Sequence, residues 1–243
     1  MHKIVRIVGC LLLFLSLSGC YTASMMQTAK TLDKGERELT IGAGPYTSSG
    51  DFLVCPDFML RWGYSEKSDF GLMYSLQLNG HFRGDWKREI WSNANQTSFL
   101  STGAMAELFL PNDFAGDPTY FGLGLPVYYS FNHDKKWVPY FGQRFSLGLG
   151  GLCIVRYAGV NEPIEENVNI YHDMYYSGAV GVRFGKRRLK GFLEASYSVK
   201  MGNRFYNYWY SNDNIQEWRL SRGYDGDVNL QLTLGLTLGR KQK

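Results

Sequence analysis

Residues able to do acid–base or nucleophilic chemistry are few and scattered in this chain. Beyond residue 20 it holds three histidines, His81, His133 and His172, and two cysteines, Cys55 and Cys153. Hydrolytic chemistry needs a base, most often His, held beside a nucleophile or a carboxylate. His172-Asp173 lies near the start of an extended stretch, where adjacent side chains face opposite ways. His81 follows Asn79-Gly80, and His133 sits in the polar run Asn132 to Lys136; both read as solvated loop residues. Scattered histidines without a Cys-x-x-Cys spacing give no metal site. One cysteine pair at no recognised spacing leaves a Cys55–Cys153 bridge open. The expectation is therefore no catalysis, no metal and no cofactor.

Ionic chemistry is more abundant, and it depends on how the chain is folded. Period-two alternation begins at Leu39 and barely stops. Leu39, Ile41 and Ala43 alternate with Glu38, Thr40 and Gly42, and Leu60 and Trp62 with Arg61 and Gly63. Phe70, Leu72 and Tyr74 alternate with Gly71, Met73 and Ser75. The pattern returns at Phe82 to Ile90, Leu100 to Leu108, Phe121 to Tyr129, Val138 to Tyr157, Tyr176 to Phe184, Leu193 to Met201 and Val228 to Leu238. Alternation of this kind is the mark of strands with one apolar face. It gives about ten strands of roughly ten residues, the length of a tilted strand that crosses a bilayer. The opposite face carries Glu38, Arg61, Arg83, Asp85, Lys87, Glu89, Glu107, Arg144, Arg183, Glu194 and Lys200. Acids and bases nearly balance, so in a narrow lumen they are expected to pair off.

Composition agrees with strands and turns: 28 Gly and 17 Tyr stand against only 7 Pro,. The formal net charge is +4 with dispersed charges, too mild and too scattered for nucleic acid. Four connections are short and polar: Ser65 to Ser68, Ser92 to Gln96, Asn132 to Lys136 and Lys186 to Lys190. Longer ones run over Pro45 to Cys55, Pro111 to Pro118, Ala158 to Ile170 and Arg204 to Gly226. With the first strand starting in the periplasm, these four turns fall on the periplasmic side, and the longer loops with the tight Asn79-Gly80 turn fall outside, as in outer-membrane barrels. The polar faces are rich in Gly and Ser, which suits a crowded interior. Aromatics such as Trp62, Tyr64, Trp86, Trp91, Tyr129 and Phe131 cluster near strand ends, as interfacial girdles do. The segment Arg204 to Tyr224 mixes aromatics with Asn, Ser and Asp, a composition able to bind a glycan or an extracellular partner.

The leader completes this reading. His2, Lys3 and Arg6 precede a mostly apolar run from Ile4 to Leu17, too short to span a bilayer and laid out like a secretory signal peptide. Leu17-Ser18-Gly19-Cys20 resembles the lipobox of bacterial lipoproteins. That resemblance implies cleavage between Gly19 and Cys20 and acylation of Cys20. Gln27-Thr28-Ala29-Lys30-Thr31-Leu32-Asp33-Lys34-Gly35-Glu36 resembles the lead-in before the first strand of some small bacterial outer-membrane β-barrels. Asp69 to Ser75, Gly84 to Lys87, and Val138 to Gly142 resemble strands of the same proteins. The last strand departs from them: it ends Leu236-Thr237-Leu238-Gly239, without the terminal aromatic that many such barrels carry.

The expected architecture is all-β, a closed antiparallel transmembrane β-barrel of about ten strands, within a range of roughly 8 to 12. Residues 1–19 form the lipoprotein signal peptide, 20–35 a lipid-anchored tether and 36–243 the barrel. The expected role is structural or surface-interacting, in the outer membrane of a Gram-negative bacterium, with the N-terminus in the periplasm. Two alternatives stay open: a lipid-anchored soluble barrel with an apolar ligand inside, and a barrel enzyme acting on lipid or peptide. The soluble barrel requires Leu232 and Leu234 to point inward; the membrane barrel requires them to point outward.

Overall fold

In a computed structural model the chain is described over residues 24–48, 51–76, 80–109, 119–156, 165–185, 188–211, 214–221 and 228–240. The leader and Cys20 lie outside the described residues. Eleven strands are present among them: β1 (Arg37–Ser48), β2 (Asp51–Ser65), β3 (Ser68–Ser75), β4 (His81–Ser92), β5 (Phe99–Phe109), β6 (Thr119–Ser130), β7 (Trp137–Arg156), β8 (Glu165–Phe184), β9 (Leu189–Ser211), β10 (Asn214–Ser221) and β11 (Val228–Arg240). Each of β1 to β9 pairs antiparallel with the next, and β11 pairs with both β9 and β1. The wall is thus closed by ten strands, which leaves no lipid-exposed edge with unpaired backbone groups. β10 stands apart from the ring, pairing with the outer end of β9 over Phe205 to Ser211.

The apolar faces point out of the barrel. Leu232 is 45% exposed and Leu234 58% exposed, whereas Gln231 and Thr233 between and beside them are buried. Phe121, Leu123, Leu125, Val127 and Tyr129 of β6 repeat the pattern. This inverts the soluble barrel with an apolar interior and forms the lipid-facing wall of a transmembrane barrel. Near the periplasmic end, Tyr64, Trp91, Phe131 and Trp137 are exposed, and Trp137 packs against Phe184 at 5.2 Å, as an interfacial belt does.

Short turns close the periplasmic end. Asn93 Oδ1 accepts the Thr97 and Ser98 N–H groups at 2.7 and 3.0 Å. Gln96 and Asn132 adopt left-handed φ of 51° and 61°, a conformation Asn tolerates in turns. The outer end is uneven. β3 has only 8 residues, while β7 and β8 have 20 each and β9 has 23. β8 begins at Glu165, inside the expected loop Ala158 to Ile170, and β9 and β10 form a hairpin inside the expected loop Arg204 to Gly226. Beyond the bilayer a strand keeps its backbone partners but needs no apolar face. The period-two signal therefore fades where the hydrogen-bonded ladder does not.

The larger departure concerns residues 24–35. Expected as a tether below the barrel, their first part instead lies inside it. Ser24 to Ala29 is buried throughout, and the chain turns at Asp33 to Glu36 into β1, where the Glu36 N–H bonds the Asp33 carbonyl at 2.9 Å. A polar backbone segment without strand partners must have its N–H and C=O groups satisfied elsewhere. The inward charges supply those partners.

Candidate functional site

The candidate site is the barrel lumen together with the segment Ser24 to Thr31 that occupies it. At the periplasmic end, Arg61 of β2 sits between two carboxylates, Asp69 of β3 and Asp85 of β4, with Asp85 at 2.7 Å. Lys87 Nζ lies 3.5 Å from Asp69 and donates to the carbonyls of Thr28 and Lys30 at 2.9 and 3.2 Å. The Leu32 N–H donates to Asp69 at 2.9 Å. Beside Arg61 on the neighbouring strand β1, Glu38 accepts from Arg183 at 3.2 Å and from Lys190 at 2.9 Å. Nearly every charge here is both paired and hydrogen-bonded, the condition under which buried ions are tolerated.

In mid-lumen a single carboxylate organises the segment. Glu194 of β9 accepts the Met25 and Met26 N–H groups at 2.8 Å each, the Ser24 hydroxyl at 2.9 Å and the Tyr140 hydroxyl at 2.8 Å. Successive N–H groups converge on an anion in this way when a residue enters the left-handed region, and Met26 has φ 53°. A non-glycine residue in that region is held only where its surroundings over-determine it. Here they do. The Met26 side chain joins Met59, Met73 and Phe192, and Met25 joins Ala29, Phe99, Tyr128 and Ala179. The wall makes room for both methionines. A Cβ at Gly142 would collide with Met25 Sδ, and one at Gly42 would come within 2.9 Å of Met26 Sδ.

Above Glu194 the polar network continues. Arg83 Nη1 donates to the Ser24 carbonyl at 3.0 Å. Gln231 of β11 accepts the Ser24 N–H at 3.2 Å and donates to Asp57 at 3.1 Å, while the Ser75 hydroxyl also bonds Asp57. Higher still, Glu107 lies 3.5 Å from Arg144 and 3.7 Å from His81.

Of the inward charges expected from the alternation, Glu38, Arg61, Arg83, Asp85, Lys87, Glu107, Arg144, Arg183 and Glu194 are buried in the lumen. Glu89 is half-buried beside a register shift between Glu89 and Trp91. Lys200 pairs through its backbone with Tyr175 across a second shift, and its side chain lies outside the described residues. His81 differs from its expected place in a solvated loop: it is the first residue of β4 and is buried. His133 does occupy a turn, where its Nε2 lies 2.7 Å from the Ser130 hydroxyl and its ring packs edge-on against Phe99. Burial, with Lys30 adding to it, pushes the His133 imidazole down to about 3. His172 and Asp173 are paired through their backbones in β8, opposite Leu149 and Gly148 of β7; their side chains lie outside the described residues. Cys55 is in β2 and Cys153 in β7, on opposite walls of the ring. Two Cα atoms joined by a disulfide lie within about 7 Å, so the topology separates this pair.

Asp57, Asp69, Lys190 and Gln231 are lumen partners not singled out from the sequence. Their signal was parity: Asp57 is in phase with Arg61, Asp69 with Gly71, Lys190 with Glu194 and Gln231 with Thr233. His81 is likewise in phase with Arg83. At the periplasmic mouth a cavity of about 460 Å³ is lined by Lys30, Glu36, Glu38, His133, Lys135 and Lys190, among others. Among the described residues no group of His, Cys, Asp and Glu is placed to hold a metal ion.

No protein-family model matches the chain, and no curated protein matches its sequence. Several solved structures resemble it. The outer membrane protease OmpT from Escherichia coli aligns with a TM-score of 0.50 at 10% identity, over 85% of this chain and 94% of that one. Neisserial surface protein A gives a TM-score of 0.35 at 11% identity, over 84% and 95% of the two chains. An outer membrane channel from Pseudomonas putida F1 gives 0.35 at 10% identity, over 87% and 98%. The likeness to OmpT concerns the fold alone: a closed antiparallel barrel of outer-membrane type.

Proposed function

We propose that this chain is an outer-membrane β-barrel lipoprotein of a Gram-negative bacterium, acylated on Cys20 after removal of residues 1–19. Its barrel is closed by its own segment Ser24 to Thr31, and its role is structural or surface-interacting rather than catalytic. One observation carries this reading: an apolar outer wall surrounds a lumen whose charges pair with each other and with the chain's own backbone. Lys87, Arg83 and Arg183 each spend donors on carbonyls of the segment, and Glu194 spends its oxygens on the segment's N–H groups. Groups committed in this way hold the barrel rather than a substrate. Outside the membrane, the hairpin of β9 and β10 is the element that stands beyond the ring, and it carries the aromatic-rich stretch proposed to meet a glycan or a partner protein.

The test has two readouts on membrane-extracted protein. Unboiled and boiled samples are compared on gels, and incorporation of an alkyne-tagged fatty acid is compared with that of Cys20→Ala. A heat-dependent mobility shift together with acyl label lost in C20A is the expected result. Absence of the shift overturns the barrel as a stable membrane unit, and label retained in C20A overturns the anchor.

A further inference from the structure

Two hollows lie one above the other on the lipid-facing wall of β1 to β6, and Leu60 borders both. The upper one, of about 400 Å³, is floored by two small outward residues, Gly84 of β4 and Ala106 of β5, which are register partners. A Cβ added at Gly84 would meet only Leu72 Cδ2, at 3.7 Å, so the space above it is open. The exposed side chains of Leu60, Leu72, Phe82, Leu108 and Phe121 stand around it. Arg83 and Glu107 border it through the strand alone, since their side chains are buried in the lumen. The result is an apolar trough at bilayer depth.

The lower hollow, of about 340 Å³, is lined by Arg37, Leu60 and Trp62 at the periplasmic ends of β1 and β2. It lies on the outer face. The inner face of the same ribbon is covered by Leu32 and Asp33, whose carbonyls a Cβ at Gly63 would strike, and neither residue lines the hollow. Arg61 turns inward to Asp69 and Asp85. Glu36 is out of phase with Arg37, and its Oε2 accepts the Asp33 N–H at 3.2 Å beside the lumen mouth. Arg37 is therefore the charge presented to this hollow. It is exposed and forms no ion pair among the described residues. The register sets Arg37 beside Trp62 and Leu39 beside Leu60. Arg37 thus stands two residues, about 7 Å of strand, to the periplasmic side of the trough. Trp62 stacks on Phe70 at 6.0 Å and Tyr64 meets Phe70 edge-on at 5.7 Å, which sets this row at headgroup depth.

A cation at headgroup depth that opens into an apolar trough matches an amphiphile with a phosphate head and an acyl tail. A guanidinium takes phosphate oxygens in pairs. Among the described outward side chains of β1 to β6, Arg37 and Arg88 carry charge, and both are cations. No carboxylate on these outward positions is available to take an ammonium, and Glu66 in the β2–β3 turn stands next to Lys67. A head of net negative charge therefore fits better than a zwitterionic one. We infer that this wall is a seat for one anionic phospholipid of the periplasmic leaflet. Its phosphate rests at Arg37 beside Trp62, and one acyl chain passes over Leu60 into the trough at Gly84 and Ala106. The inference rests on the membrane placement of the wall proposed above.

The full chain, purified in detergent, is mixed with equal amounts of dioleoyl phosphatidylglycerol and dioleoyl phosphatidylethanolamine. Bound lipid is counted by native mass spectrometry, and heat-dependent gel mobility checks folding in every sample. The parent is expected to hold its first phosphatidylglycerol about fivefold better than phosphatidylethanolamine, the ~1 kcal/mol that one basic side chain contributes at an anionic bilayer surface. Arg37→Gln should bring that ratio to about one. Gly84→Leu, which fills the trough, should lower binding of both lipids, and Ala106→Leu is the second trough variant should the first not fold. Lys136→Gln, which removes an exposed charge before β7, should change neither. A folded parent that holds the two lipids equally overturns the seat, and so does a preference kept in R37Q or parent-like binding in G84L. A parent with no heat shift and no lipid retained overturns the membrane wall and the seat with it, so the two failures read differently.

Discussion

Arg61 shows how lumen charges act on stability. It is buried between Asp69 and Asp85, and Lys87 completes the group. A buried ion pair adds little over an apolar isostere, but removing one partner leaves the others uncompensated, at a cost of about 3–5 kcal/mol. Arg61→Met should therefore lower the unfolding free energy of the barrel in detergent by that order, read as a lower urea midpoint at unchanged slope. The double variant Arg61→Met, Asp85→Asn, which leaves Asp69 paired with Lys87, should recover most of the loss. Equal midpoints for R61M and the parent would mean that the two carboxylates are solvated rather than dependent on Arg61. The space around this guanidinium is set by Gly71, where a Cβ would collide with Arg61 Nη1; a glycine on the polar face of a strand here marks a crossing side chain.

At the scale of the strand, period two assigns each residue to lipid or lumen, and the two faces tolerate different changes. Leu234 of β11 faces outward beside Thr233, which faces in. A charge on the lipid face near the midplane costs about 2–4 kcal/mol, falling towards the interfaces. Leu234→Arg should lower folding yield into phospholipid vesicles accordingly, whereas Leu238→Arg, near the periplasmic end of β11, should cost less. Equal yields for L234R, L238R and the parent would remove the bilayer from this wall. The same strand logic explains why the β9–β10 hairpin leaves no period-two signal in the sequence. Above the membrane both faces meet a polar environment, so pairing persists without alternation.

For the whole molecule, closure of the lumen depends on a segment joined to the wall by bonds that span most of the chain. Ser24 meets Glu194 across 170 positions and Gln231 across 207. Deleting residues 24–31 should leave the heat-modifiable barrel intact and turn a silent protein into one that conducts ions in planar bilayers. Gly142→Leu, which fills the space of Met25, should do so in part. A parent protein that already conducts steadily would show that the segment does not seal the barrel. The wall, its facing and its short periplasmic turns were legible in the sequence, because alternation and turn chemistry are local properties that each strand carries by itself. Nine of the inward charges followed from the same parity. Their partners did not, nor did the entry of Ser24 to Thr31 into the lumen. That segment has no period and no apolar face, and reads as a free polar linker. Its place is decided by Glu194, Arg83, Lys87, Arg183 and Gln231, which come together from four strands only when the ring closes.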